Sequence, residues 1–139
     1  MHNDNCCNAF GWGQAKKRTY SAYKTEKIDY FCYMTKREKI IQKILDLSEK
    51  KYPDAEIYLY GSHARGDAKA FSDWDLLILL NTQNVTFDFE TKFMDEFYEL
   101  ELETGEIFSP LIYSKNNWKS NYPNTPLYEN IQREGIRLK

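Results

Sequence analysis

The stretch LYGSHARGDAKAFSDWDLLILL, residues 59–80, decides how this chain is read. A strand-like run ends at Tyr60 in Gly61-Ser62, ten mostly polar or small residues follow, and a second apolar run opens on Asp73-Trp74-Asp75. Alternation along a strand puts Asp73 and Asp75 on one face and turns Trp74 to the other. Two carboxylates that close repel, and burying them without a partner is costly, so they must face water, a cation or a metal. A hard cation such as Mg²⁺, which prefers oxygen ligands and phosphates, fits the pair.

The flanking patterns place this stretch in a small domain. Thr35 followed by Glu38 is a capping box, and Ile40, Ile41, Ile44, Leu45 and Leu47 repeat at helical spacing before Pro53. AEIYLY predicts a strand with Ile57 and Leu59 on one face and Tyr58 and Tyr60 on the other. DWDLLILL is apolar on both faces beyond its first residues, which predicts a central strand. Phe89, Phe93, Met94 and Phe97 mark a helix from about Thr86. YELELET alternates strictly, and with a turn at Gly105 and IFSPLIYS it predicts a hairpin. A short helix at 116–120 and a last one from Thr125 to Glu134, stopped by Gly135, complete the order α-β-(loop/helix)-β-α-β-β-α. The expected class is α/β (α+β), a small mixed sheet flanked by helices.

Bulk properties narrow the function. A chain of 139 residues suits one domain, and 29% charged with 42% hydrophobic residues is ordinary for a globular protein. The formal net charge is -2, with no basic block beyond Lys16-Lys17-Arg18, so no direct nucleic-acid binding is expected. No apolar run reaches a membrane span or forms a signal peptide, so a cytoplasmic location is expected. Cys6, Cys7 and Cys32 have neither zinc spacing nor an even count, so free thiols are expected. Residues 1–34 show no sustained period and few aliphatics, which predicts a disordered leader or a start-site artefact before a domain at 35–139.

Gly61-Ser62, ten residues and Asp73-x-Asp75 leading into Leu76-Leu77-Ile78 resemble the signature of the nucleotidyltransferase superfamily that includes DNA polymerase beta. Arg65-Gly66, Ser72-Asp73, the chain length and the closing NIQREGIRL are similar to the minimal nucleotidyltransferases (MNT proteins), often paired with HEPN-domain toxins. The resemblance covers roughly residues 37–139 and implies a palm-like fold. It further implies transfer of a nucleoside monophosphate, AMP from ATP, to a hydroxyl acceptor such as a tyrosine of a HEPN toxin. Asp73 and Asp75 would be catalytic metal ligands in a two-metal Mg²⁺ site. Gly61 and Ser62 would seat the triphosphate and Arg65 would offset its charge, with Lys69 a poorer candidate. His63 is expected as a loop residue and Trp74 as core.

The superfamily usually adds a third acid from a neighbouring strand. Glu99, Glu101 and Glu103 share one face of the expected YELELET strand, any of them able to point at the pair; the middle one, Glu101, is favoured as third catalytic metal ligand. On the next segment Ser109-Pro110 occupies another place where an acid could stand. So short a chain lacks room for further domains and is expected to form a homo- or hetero-oligomer that supplies the acceptor surface. Two rival functions stay open: an antitoxin that neutralises by contact with a decayed site, and a nucleotidyltransferase acting on an antibiotic. The leader expectation has a direct check. A chain beginning at Met34 should unfold cooperatively at the melting temperature of the full chain, and loss of that transition in circular dichroism would refute it.

Overall fold

A computed structural model of the chain describes residues 33–139. The three cysteines and all but the last two residues of the expected leader lie outside the described residues. The chain divides into two compact units, residues 1–40 and 41–139.

In the first unit the described residues hold the start of helix α1 (Lys36–Lys51). The expected capping box is formed there. The Thr35 N–H donates to Glu38 Oε2 at 2.7 Å, and the Glu38 N–H donates to Thr35 Oγ1 at 3.2 Å. The reciprocal bonds pull the Glu38 carboxyl below its ordinary range.

The second unit continues α1 from Ile41 and adds β1 (Glu56–Tyr60), α2 (Gly61–Arg65), β2 (Trp74–Leu80) and α3 (Phe87–Thr104). After these come β3 (Phe108–Ser114), α4 (Lys115–Asn121), α5 (Pro126–Glu134) and β4 (Ile136–Arg137). The four strands form one mixed sheet in the order β3-β2-β1-β4, with β1 antiparallel to β2 and β4, and β2 parallel to β3. The expected mixed sheet flanked by helices is therefore present.

Alternation gives the sheet two different faces. Ile57 and Ile78 on one face enclose a small void with Ile44 and Leu47 of α1 and Phe93 and Phe97 of α3. On the other, Leu77 and Leu79 pack with Trp118 of α4 and Ile131 of α5, ringed by Tyr58, Tyr113, Tyr122 and Tyr128. Being covered on both sides, β2 is buried along nearly its whole length, as its continuous apolar run requires.

The hairpin expectation fails. Residues 98–104 continue α3, and β3 runs parallel to β2. Parallel strands need a crossover of a dozen or more residues, which α3 supplies and a tight turn could not. Leu100 is buried while Leu102 is exposed, so two residues that would share a strand face are turned apart on the helix. Phe93, Phe97 and Leu100 form its buried stripe, and Gly105 closes it at φ +70°, donating its N–H to Glu101 O at 2.8 Å. The segment 61–72, expected as loop or helix, begins as helix α2, and β4, absent from the expected order, pairs with β1.

Phe93 is 1% exposed, with its ring 4.7 Å from that of Tyr52 and 5.1 Å from that of Phe97. Phe93→Ala should cost about 3–5 kcal/mol through the cavity it leaves. Urea unfolding with an unchanged slope would register this; a loss below about 1 kcal/mol would contradict the packing described.

Candidate active site

The site forms where β1 ends and β2 and β3 begin. In the sheet register Asp75 lies opposite Tyr60 of β1 and Ser109 of β3, so these three side chains share a face. Asp73 lies just before β2, and its Oδ2 accepts the Ser109 hydroxyl at 2.6 Å. The structure thus brings the two predicted acids together beside a serine. Ser109 stands on the neighbouring strand, at the alternative place that the sequence offers for an acid.

Gly61 is needed here on two counts. Its φ is +69°, a conformation that other residues adopt at a cost, and a Cβ would fall 2.1 Å from Asp75 Oδ2. The chain leaves β1 with its backbone against the Asp75 carboxylate. Burial raises the Asp75 carboxyl above its ordinary range, and the Asp73 charge raises it further; His63 and Arg65 oppose the shift. Burial, with the charges of Asp75 and Asp73, also pushes the Tyr60 hydroxyl up to about 12, so it keeps its proton at neutral pH.

The other predicted residues have defined places. Ser62 follows in α2, and among the described residues its hydroxyl has no hydrogen-bond partner. Arg65 ends α2 and pairs with Asp67 at 3.3 Å and with Glu134 at 3.1 Å. His63 stacks on Trp74 with ring centroids 3.9 Å apart, and its Nε2 lies 3.0 Å from Ser72 O. It therefore braces the turn that carries Asp73. Trp74 is buried, as expected, and its Nε1 donates to Glu106 Oε2 at 3.0 Å. Lys69 is exposed.

The three glutamates do not form the expected strand face. Glu101, on α3, accepts the Phe108 N–H at 2.8 Å; Glu103 pairs with Lys43, and Glu99 is exposed. The strand that was to aim them at the Asp pair is a helix, whose period leaves Glu99 and Glu103 on one face and turns Glu101 away from them. Among the described residues, no three His, Cys, Asp or Glu side chains group in a way suited to a metal ion.

Sequence reasoning missed Glu134, which is only 12% exposed in its side chain and accepts the Gly61 N–H at 3.2 Å besides Arg65. Its one signal was the closing NIQREGIRL, which carried resemblance but no chemistry. A surface groove of about 560 Å³ between α1 and α3, lined by Lys43, Lys50, Glu96, Glu99 and Glu103, involves neither Asp73 nor Asp75. Convergent chemistry, rather than cavity size, marks the site. Among the described residues no helix is long and apolar enough to cross a membrane.

The family described as "Nucleotidyltransferase domain" matches residues 38–125, which include Gly61, Ser62, Asp73, Asp75 and Ser109. Among solved structures, a toxin-antitoxin with AMP-PNP is 20% identical, with a TM-score of 0.54 over 71% of this chain and 72% of that one. A mutant of the toxin-antitoxin MntA-HpeT is 17% identical, with a TM-score of 0.52 over 71% and 72%. A tri-AMPylated Shewanella oneidensis HEPN toxin in complex with MNT antitoxin gives 16% identity and a TM-score of 0.50 over 74% and 71%. At these identities the likeness is one of fold. None of the curated proteins matches the sequence.

Gly61→Ala should lower the melting temperature by several degrees, since the left-handed backbone alone costs about 1–2 kcal/mol and the new methyl must displace Asp75. A thermal scan checks this, and an unchanged transition would contradict the close approach.

Proposed function

The chain belongs to the nucleotidyltransferase domain family, an enzyme class, and on that premise we propose that it moves AMP from ATP onto a hydroxyl of a HEPN-domain toxin, a tyrosine hydroxyl, and so acts as an antitoxin. One observation carries the reading: Asp73 and Asp75 converge at the head of β2, with the Gly61 backbone against Asp75. The structural neighbours are toxin-antitoxin assemblies, one with AMP-PNP and one with an AMPylated HEPN toxin, which supports the nucleotide and the partner.

The acceptor oxygen would attack the α-phosphorus, the bond from that phosphorus to the β-phosphate bridging oxygen would break, and pyrophosphate would leave as the hydroxyl loses its proton. Asp73 and Asp75 fit a hard cation, because two neighbouring carboxylates repel and a cation between them would offset that repulsion. Mg²⁺ held there would lower the pKa of the attacking hydroxyl and offset charge on the leaving pyrophosphate. Gly61 lets the backbone lie against Asp75, Ser62 has its hydroxyl uncommitted among the described residues, and Arg65 offers positive charge to the phosphates. Ser109 holds Asp73 in place through its hydroxyl.

The protein partner has a matching surface. Met94, Tyr98 and Leu102 form an exposed apolar row along α3, at i, i+4, i+8 spacing, beside the exposed acids Asp95 and Glu99. A HEPN-domain face with an apolar row and flanking Lys or Arg would cover it.

A second reading is favoured by Glu101 and Glu103 being engaged elsewhere, which leaves the pair without the expected third acid: an antitoxin that acts by contact alone. Intact-mass spectrometry separates the two. A HEPN-domain protein incubated with this chain, ATP and Mg²⁺ should gain one or more AMP units. Asp73→Asn with Asp75→Asn should slow the gain on the order of 100-fold or more, the scale lost with an electrostatic catalytic group. A stable complex without mass gain would favour contact alone.

A further inference from the structure

The closing segment NIQREGIRL resembles the family without an assigned role, and the structure ties it to the site. Leu138 donates its N–H to Ile57 O at 2.8 Å, and Ile136 pairs with Leu59, so the chain end is laced to β1. Gly135 makes the tight passage from α5 into β4, because a Cβ there would lie 2.4 Å from Ile131 O. Glu134, the last residue of α5, is thereby fixed beside α2. One carboxylate oxygen, Oε1, accepts from the Gly61 N–H at 3.2 Å and from Arg65 Nη1 at 3.1 Å; Oε2 meets the same Nη1 at 3.2 Å.

We propose that Glu134 is a positioning residue for nucleotide binding: it holds the Arg65 guanidinium beside the Asp73–Asp75 pair, ready for the triphosphate. The role rests on the nucleotidyltransferase reading above, and Glu134 lies beyond the segment that the family matches. The physical need is clear. Arg65 is 45% exposed in its side chain, on a long stem with many rotamers, and left alone it would sample solvent. A carboxylate that is largely buried and fixed by its own helix and by the Gly61 amide removes much of that freedom before the ligand arrives. The ordering cost is then met in folding rather than at binding. Arg65 Nη1 is turned to Glu134 and its Nε to Asp67, so the far nitrogen, Nη2, has no described partner and is the donor left for a phosphate.

The experiment is a double-mutant cycle on the full chain, read by titration calorimetry with AMP-PNP and Mg²⁺. Glu134→Gln, which keeps shape and an acceptor for the Gly61 amide, and Glu134→Ala should each weaken binding about threefold to tenfold, the ordering cost of one long side chain. In an Arg65→Ala background, Glu134→Ala should change the affinity by less than about twofold, because the residue acts through Arg65. Equal losses in both backgrounds would make Glu134 a strut for the fold and overturn the proposal. Unchanged or tighter binding by the Glu134 variants would overturn it too, making the carboxylate a bystander or a rival of the phosphates. Absence of Mg²⁺-dependent AMP-PNP binding by the wild-type chain would sink the nucleotidyltransferase reading itself, and this role with it.

Discussion

The close approach of the Gly61 backbone to the Asp75 carboxylate organises this domain. A side chain at position 61 would stand inside Asp75 Oδ2, so β1 can end beside β2 only where glycine sits, and only with a left-handed turn. That turn sends the chain into α2 and sets Arg65 beside the pair, while His63 stacks on Trp74 and holds the return segment. The arrangement half-buries a carboxylate next to another one; burial and then the Asp73 charge raise the Asp75 carboxyl, and His63 and Arg65 oppose the shift. A fold optimised for stability alone would not keep such a pair; a site that receives a cation would.

The parallel pairing of β2 with β3 is the second constraint. It puts Ser109 in register with Asp75, and it requires the long helix between them. The same helix carries two surfaces: Phe93, Phe97 and Leu100 inward, and Met94, Tyr98 and Leu102 outward. Core stripe and exposed apolar row are thus set by one element, on sides that the helical period keeps apart.

The parts of this structure legible from sequence were those with strong local signals. The Thr35–Glu38 box, the helix starts near Thr86 and Thr125, the alternation of Ile57 and Leu59 and the unbroken run of β2 each act over a few residues, and each reads as expected. YELELET misled because Glu and Leu alternate there with period 2 while both are good helix formers. What settles such a segment is its neighbour: Phe93 and Phe97 already ran at helical spacing, and a core stripe extended by Leu100 outweighs alternation. In the site, Gly61, Ser62, Arg65, Asp73 and Asp75 lie close in sequence, so one motif could show them together. Glu134 is 69 residues from Arg65 and meets it only through the pairing of β4 with β1, and a two-residue strand leaves no periodic trace.

The charge balance around the pair links metal to nucleotide on the proposed reading. Ser109 brings a hydroxyl where a third acid would bring a third negative charge, and Glu134 is bound to Arg65. Two carboxylates remain for a cation. Mg²⁺ gives up its waters reluctantly and is usually held by one or two carboxylates together with substrate phosphates. A pair this small would therefore hold the ion weakly alone and firmly with a triphosphate, whose oxygens complete its shell. The ion and the nucleotide would enter as one ligand, and Arg65, held ready by Glu134, would meet the phosphates that the ion leaves uncovered.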